Sequence, residues 1–238
     1  MVSVLDSVWE HLIVALDVPS WDQALELLRL LPQVRWWKVG LELYLGAGSE
    51  IVAVVRGQGK RIFLDLKLHD IPNTVAAATG ILARQGVDLL TVHASGGLAM
   101  LRAAQQATQG TTCRLLGVTL LTSLTAPDLQ NHLHVPLDPL DYVQHLAQTC
   151  QTAGIPGVVC SPWEAARVRQ SCGPDLLIVT PGIRLQPGGD DQARTCTPAQ
   201  ARQQGADWIV VGRPITRAPD PQAALLAYAR NWLGDPCC

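Results

Sequence analysis

Charge and aromatic rings are both scarce in this chain. Of its 238 residues, 16% are Asp, Glu, Lys or Arg and 5% are Phe, Trp or Tyr, with a single Phe. Low charge combined with 48% hydrophobic residues excludes an intrinsically disordered chain, which needs the opposite balance. The composition is equally unlike collagen or a coiled coil. Neither sign of charge dominates: 18 Lys and Arg stand against 20 Asp and Glu, a net −2. That argues against a general nucleic-acid binder or an anionic-membrane binder. No apolar run approaches the ~20 residues that span a bilayer. The opening MVSVLDSVWE lacks a basic stretch followed by an apolar one, so no secretory leader is expected and the chain reads as cytoplasmic. The seven cysteines are odd in number and contain no CxxC spacing, which speaks against a zinc cluster or a disulfide framework; Cys237-Cys238 reads as an exposed tail.

What the chain does have is a repeat of short apolar runs. They are LIVAL (12–16), WWKVG (36–40), IFLDL (62–66), LLTV (89–92), LLGVTLL (115–121), GVVC (157–160), LLIV (177–180) and WIVV (208–211). All are rich in Val, Ile and Leu and lack clean alternation, as strands buried on both faces do. Helical periodicity fills the intervals, at 21–31, 47–57, 73–86, 98–107, 138–154, 162–171, 197–205 and 220–234. Ser20, Thr197-Pro198 and Asp220-Pro221 are start signals. Gly57, Gly86, Gly154, Gly205 and Gly234 stand where helices should stop. Eight strand–helix alternations, with no linker or low-complexity tract between them, predict one domain over 1–238, a single (β/α)8 TIM barrel. The alternative, an open doubly wound sheet, is weaker, because DVPS rather than a glycine-rich turn follows the first strand.

A barrel builds its active site at the C-terminal ends of its strands. Standing there are Asp17 (strand 1), Lys38 (strand 2), Asp65, Lys67 and Asp70 (strand 3), His93 (strand 4), Thr122-Ser123 (strand 5), Pro181–Arg184 (strand 7) and Gly212-Arg213 (strand 8). Asp65 and Lys67, two apart, share a face, either the barrel interior or the helix layer, and neither suits an isolated ion. Alone they read equally as a structural ion pair. With Lys38 and Asp70 they form a net-neutral set of two lysines and two aspartates, in which each aspartate favours the charged form of a neighbouring lysine. A protonated lysine is a proton donor rather than a Schiff-base nucleophile. Gly212-Arg213 suits a phosphate, since glycine lets backbone N–H groups approach and Arg offers a fork; the bland alternative is a surface turn. The long polar loop RLQPGGDDQARTCT (184–197) reads as either a functional lid or a disordered segment; as a lid, it would bring Gln192 to a substrate on closing.

Taken together, ALDVP (15–19), KVGLEL (38–43), DLKLHDIPNT (65–74), TVHASGG (91–97), VTLLTS (118–123), TPGIR (180–184), DQAR (191–194) and VVGRPIT (210–216) resemble the orotidine 5′-phosphate decarboxylase family in its short bacterial form. The blocks lie in order along about 200 residues. The resemblance implies a homodimeric barrel that converts orotidine 5′-monophosphate to uridine 5′-monophosphate and CO2 without cofactor or metal. It implies that Asp17 and Lys38 contact the ribose and that Lys67, beside Asp65, protonates C6. Asp70 and Thr74 would reach into the partner's site. Thr122 and Ser123 would meet the pyrimidine, and Arg184, Gln192, Gly212 and Arg213 would hold the phosphate. Trp36-Trp37 is bulkier than the resemblance leads one to expect and reads as packing. His69 and His93 read as mainly structural, and His132 and His134 as solvent-facing. The nearest rival is a Mg²⁺-dependent sister barrel acting on sugar phosphates, for which Glu42 would supply an acidic ligand. A non-catalytic barrel that binds a phosphorylated ligand is the rival of another class.

Overall fold

In the computed structural model, which describes residues 7–186 and 195–234, all eight apolar runs are strands. They are β1 (Leu12–Ala15), β2 (Trp36–Gly40), β3 (Arg61–Leu68), β4 (Leu89–His93), β5 (Arg114–Val118), β6 (Gly157–Val159), β7 (Leu177–Thr180) and β8 (Trp208–Val211). Each pairs in parallel with the next, and β8 pairs with β1, so the sheet closes as an eight-stranded barrel without an edge. This confirms the (β/α)8 TIM barrel expected from the alternation.

Two apolar cores explain why the strands do not alternate between apolar and polar. Ile13, Trp36, Phe63, Leu89, Leu116, Val179 and Trp208 fill the barrel itself. Their strand neighbours Val14, Trp37, Leu64, Leu90 and Ile209 point outward and pack under the helices. The Trp36-Trp37 pair is thereby resolved: successive residues of β2 face opposite sides, so one ring enters each core. Trp36 lies 5.3 Å from Trp208 in the barrel floor. Arg61 and Arg114 sit over these two rings at 5.6 and 5.2 Å and close the N-terminal end with cation–π contacts.

The helix layer comprises α1 (Trp21–Leu30), α2 (Leu41–Ala47), α3 (Glu50–Gly57), α4 (Pro72–Arg84), α5 (Gly97–Ala107), α6 (Ala126–Asn131), α7 (Pro139–Thr152), α8 (Pro162–Cys172), α9 (Pro198–Gln203), α10 (Arg213–Thr216) and α11 (Pro221–Leu233). The start signals act as read. Ser20 Oγ accepts the Gln23 N–H, Thr197 forms a capping box with Gln200, and Asp220 Oδ1 accepts the Ala223 N–H. In α11 the buried Leu225, Tyr228, Ala229 and Trp232 follow the helical repeat and form the stripe that faces the barrel. The structure corrects the sequence in two ways. Helices α2, α6 and α10 were not anticipated, being too short to show a period. Gly57 is the last residue of α3 rather than its stop; the left-handed turn falls at Gly59, with φ +71.

Candidate active site

Strand alternation carries straight into the site. On the interior face, Lys38 stands one step above Trp36, Asp65 above Phe63, and Thr91 above Leu89. These positions open on a cavity of about 360 Å³ at the C-terminal end of the barrel. Asp17, Lys38, Asp65 and Lys67 line it. Thr122 and Ser123 come from the segment after β5, Arg184 from after β7, and Gly212 and Arg213 from after β8.

The charged side chains form a continuous chain of opposite signs. Lys38 Nζ donates to Asp17 Oδ1 at 2.7 Å and lies 3.6 Å from Asp65 Oδ2. Lys67 Nζ donates to the same Asp65 oxygen at 2.8 Å. The second Asp65 oxygen accepts the Thr91 hydroxyl at 3.0 Å. Burial alone would raise the Asp65 carboxyl, but the two ammonium charges and the hydrogen bonds from Lys67 and Thr91 outweigh it and hold it below its ordinary range. Burial alone would likewise lower Lys38. The carboxylates of Asp65 and Asp17 reverse that and hold it above its ordinary value, so it stays charged. Gly40 provides the room: a Cβ there would come within 3.1 Å of both Asp17 Oδ1 and Lys38 Nζ.

Several expectations change in detail. The fourth member of the array within one chain is Asp17, not Asp70. Asp70 Oδ1 accepts the Ile71 N–H at 2.6 Å, and residues 70–74 are exposed, outside the cavity lining. Lys67 does not continue a regular strand: its φ is +50, in the left-handed region that side chains rarely adopt. Thr91, fully buried and bonded to the array, was missed. The Leu89–Thr91 alternation that puts it on the interior face was legible, but its bonding was not. Gln192 lies outside the described residues. The two flanks of its loop are joined, since the Arg184 N–H donates to Cys196 O at 2.9 Å.

His132 and His134 face solvent, as read. His69 and His93 pair at 5.2 Å beside the array. Burial, followed by the charges of His69 and Lys67, pushes His93 below its ordinary value. Glu42 is exposed in the first turn of α2 and does not line the cavity. Among the described residues, no three or more His, Cys, Asp or Glu side chains converge as a metal-holding group.

Chemically, the cavity offers an ammonium group, Lys67, braced by a carboxylate, together with Arg184, Arg213 and the Gly212 turn, which lies beside Asp17. That suits a substrate that carries both a reacting centre and an anion. Comparison with known proteins agrees. The profile of the orotidine 5′-phosphate decarboxylase / HUMPS family matches residues 10–228. Orotidine 5′-phosphate decarboxylase of Thermosynechococcus vestitus is 52% identical over 219 residues, covering 92% of this chain and 94% of that one. The Synechocystis enzyme of the same name is 50% identical, covering 90% and 94%. The crystal structure of orotidine 5′-phosphate decarboxylase from Lactobacillus acidophilus superposes with a TM-score of 0.83 at 39% identity, covering 94% of this chain and 99% of that one. With the barrel, the strand-end charges and these likenesses in agreement, the chain belongs to the orotidine 5′-phosphate decarboxylase / HUMPS family.

Proposed function

We propose that the chain is a carboxy-lyase that converts orotidine 5′-monophosphate to uridine 5′-monophosphate and CO2, within pyrimidine biosynthesis. The observation that carries this reading is the array Asp17–Lys38–Asp65–Lys67 lining the same cavity as Arg184 and Arg213. The C6–carboxylate bond breaks, CO2 leaves, and the electron pair stays on C6. Lys67 Nζ–H stabilises that growing charge and delivers its proton to C6. Fixed charge aimed at charge that develops in the transition state is usually the largest catalytic contribution. Asp65 holds the ammonium in place, and this chain's own residues supply the chemistry without a cofactor.

Asp17 and Lys38 bind the ribose hydroxyls, Thr122 and Ser123 meet the pyrimidine edge, and Arg184, Gly212 and Arg213 hold the phosphate. The family resemblance adds Gln192 to the phosphate group. Two copies act together, with Asp70 and Thr74 reaching into the partner's cavity and Asp70 lying against the substrate carboxylate. The exposure of residues 70–74 supports this. So do Ile71 (66% exposed) and Leu45 (78%), large apolar side chains that follow the neighbouring strands β3 and β2. No described helix is long and apolar enough to cross a membrane; the proposed site of action is the cytoplasm, with residues 1–238 as one catalytic domain.

The test is a decarboxylation assay on EDTA-treated protein, following loss of the orotate absorbance, with Lys67→Ala alongside. Turnover in EDTA that vanishes in a folded Lys67→Ala protein is expected. Near-normal turnover in that variant refutes the donor role. Activity seen only toward a sugar phosphate with Mg²⁺ would overturn the substrate assignment.

A further inference from the structure

We propose that Thr91 is the positioning residue that sets the geometry of Lys67; this rests on the proton-donor role proposed above. Asp65 and Lys67 both line the cavity, and between them strand β3 leaves the ladder. Leu64 pairs with Leu90 and Leu68 with Val92, so Asp65, Leu66 and Lys67 stand opposite the single residue Thr91. This is a bulge beside the reacting group. Within it Lys67 takes φ +50; His134, in an exposed segment, is the other described residue besides glycine with positive φ. Such a conformation persists only where its surroundings enforce it.

The Thr91 hydroxyl is what enforces it. The bulge removes the strand partner of the Lys67 N–H, and Thr91 Oγ1 accepts that N–H at 2.8 Å. The same hydroxyl donates its proton to Asp65 Oδ1 at 3.0 Å, while Asp65 Oδ2 takes the Lys67 ammonium at 2.8 Å. One side chain, fully buried and restricted at χ1 by β-branching, therefore fixes the backbone that carries the lysine and the carboxylate that aims it. Valine would keep the shape, leave the Lys67 N–H unpaired, and release one Asp65 oxygen. The ammonium would then drift relative to C6, and misplacements of about 1 Å can cost on the order of 100-fold in rate. Contacts to the ribose and phosphate, made by Asp17, Lys38 and Arg213, would remain.

The experiment compares Thr91→Val, Thr91→Ser and Lys67→Ala with the parent chain, measuring kcat, KM, the affinity for uridine 5′-monophosphate, and Tm. Thr91→Val is expected to lose about 10- to 100-fold in kcat, the loss a charge-assisted hydrogen bond and its geometry carry. Product affinity should change by less than about 3-fold, since the ribose and phosphate contacts are untouched. Thr91→Ser should restore kcat. If Thr91→Val does not fold, Thr91→Cys, a close isostere with a weak hydrogen-bonding sulfur, takes its place with the same expectation. The inference is overturned if kcat holds in the variant that removes the hydroxyl, if kcat and product affinity fall together, or if Thr91→Ser does not rescue. An active Lys67→Ala protein would instead bring down the donor role itself. An inactive Lys67→Ala protein beside a fully active Thr91→Val protein would remove Thr91 alone.

Discussion

Lys38 touches two carboxylates in very different surroundings, so removing each in turn tests whether burial or contact distance sets the strength of the array. Asp65 is mostly withdrawn from solvent, with a side chain 14% exposed, and lies 2.8 Å from Lys67 Nζ and 3.6 Å from Lys38 Nζ. Asp17 is closer to Lys38, at 2.7 Å, but its side chain is 45% exposed. At an effective dielectric constant of ~20, Asp65 draws about 6 kcal/mol of gross attraction from Lys67 and about 5 from Lys38. Most of that is offset by desolvation in the intact protein. Asp65→Asn keeps the desolvation of the lysines and removes the attraction, so the loss should approach the ~3–5 kcal/mol typical of a broken buried pair. For a chain of this length, that is a Tm lower by roughly 6–20 °C. Asp17→Asn, with water screening the pair and Asp65 still beside Lys38, should cost about 1 kcal/mol or less. The assay is urea unfolding followed by tryptophan fluorescence, with calorimetry for Tm, all variants at one protein concentration. If Asp65→Asn costs under about 1 kcal/mol, or if the two variants cost the same, the claim that burial decides these ion pairs is wrong.

Three further outcomes are expected. Arg213→Ala should raise KM for orotidine 5′-monophosphate at least ~10-fold in a folded protein, the loss of a charged hydrogen bond to phosphate; an unchanged KM would remove Arg213 from the phosphate site. His93 is held below its ordinary value of 6.5 in the folded chain, so below that pH the unfolded chain binds the extra proton. Stability should therefore fall as pH drops through 6.5 and level off below the folded-state value. Urea midpoints between pH 7.5 and 5 should show a shallower slope for His93→Gln. At Gly117 an added Cβ would come within 2.2 Å of Cys150 Sγ. Gly117→Ala should destabilise by ~1–3 kcal/mol, and Cys150→Ala in the same chain should recover part of that; strict additivity in thermal melts would refute the clash.

How much was legible follows from which interactions are local. The eight strands showed themselves because burial on both faces needs unbroken Val, Ile and Leu runs, and the caps at Ser20, Thr197 and Asp220 act within three residues of themselves. Helices α2 and α10 did not show, because seven and four residues are too few to establish a period. The displaced stop at Gly59 depended on where α3 ended rather than on glycine alone.

The same division runs through the site. Alternation along β2 and β3, together with the rule that barrels act at strand ends, was enough to single out Lys38, Asp65 and Lys67, and the motif order was enough to point to the family. Side-chain period and residue type are properties of the chain itself. What only the tertiary structure decided is how those groups meet. Asp17 rather than Asp70 completes the array within one chain, because the closure of β1 against β2 brings Asp17 to Lys38 while Asp70 leaves on the exposed approach to α4. Lys67 adopts a left-handed backbone, and Thr91 bonds it to Asp65, because β3 and β4 fall out of register between Leu64 and Leu68. Register between strands is set by pairing across the barrel, through contacts 24 and more residues apart, and no local pattern encodes it.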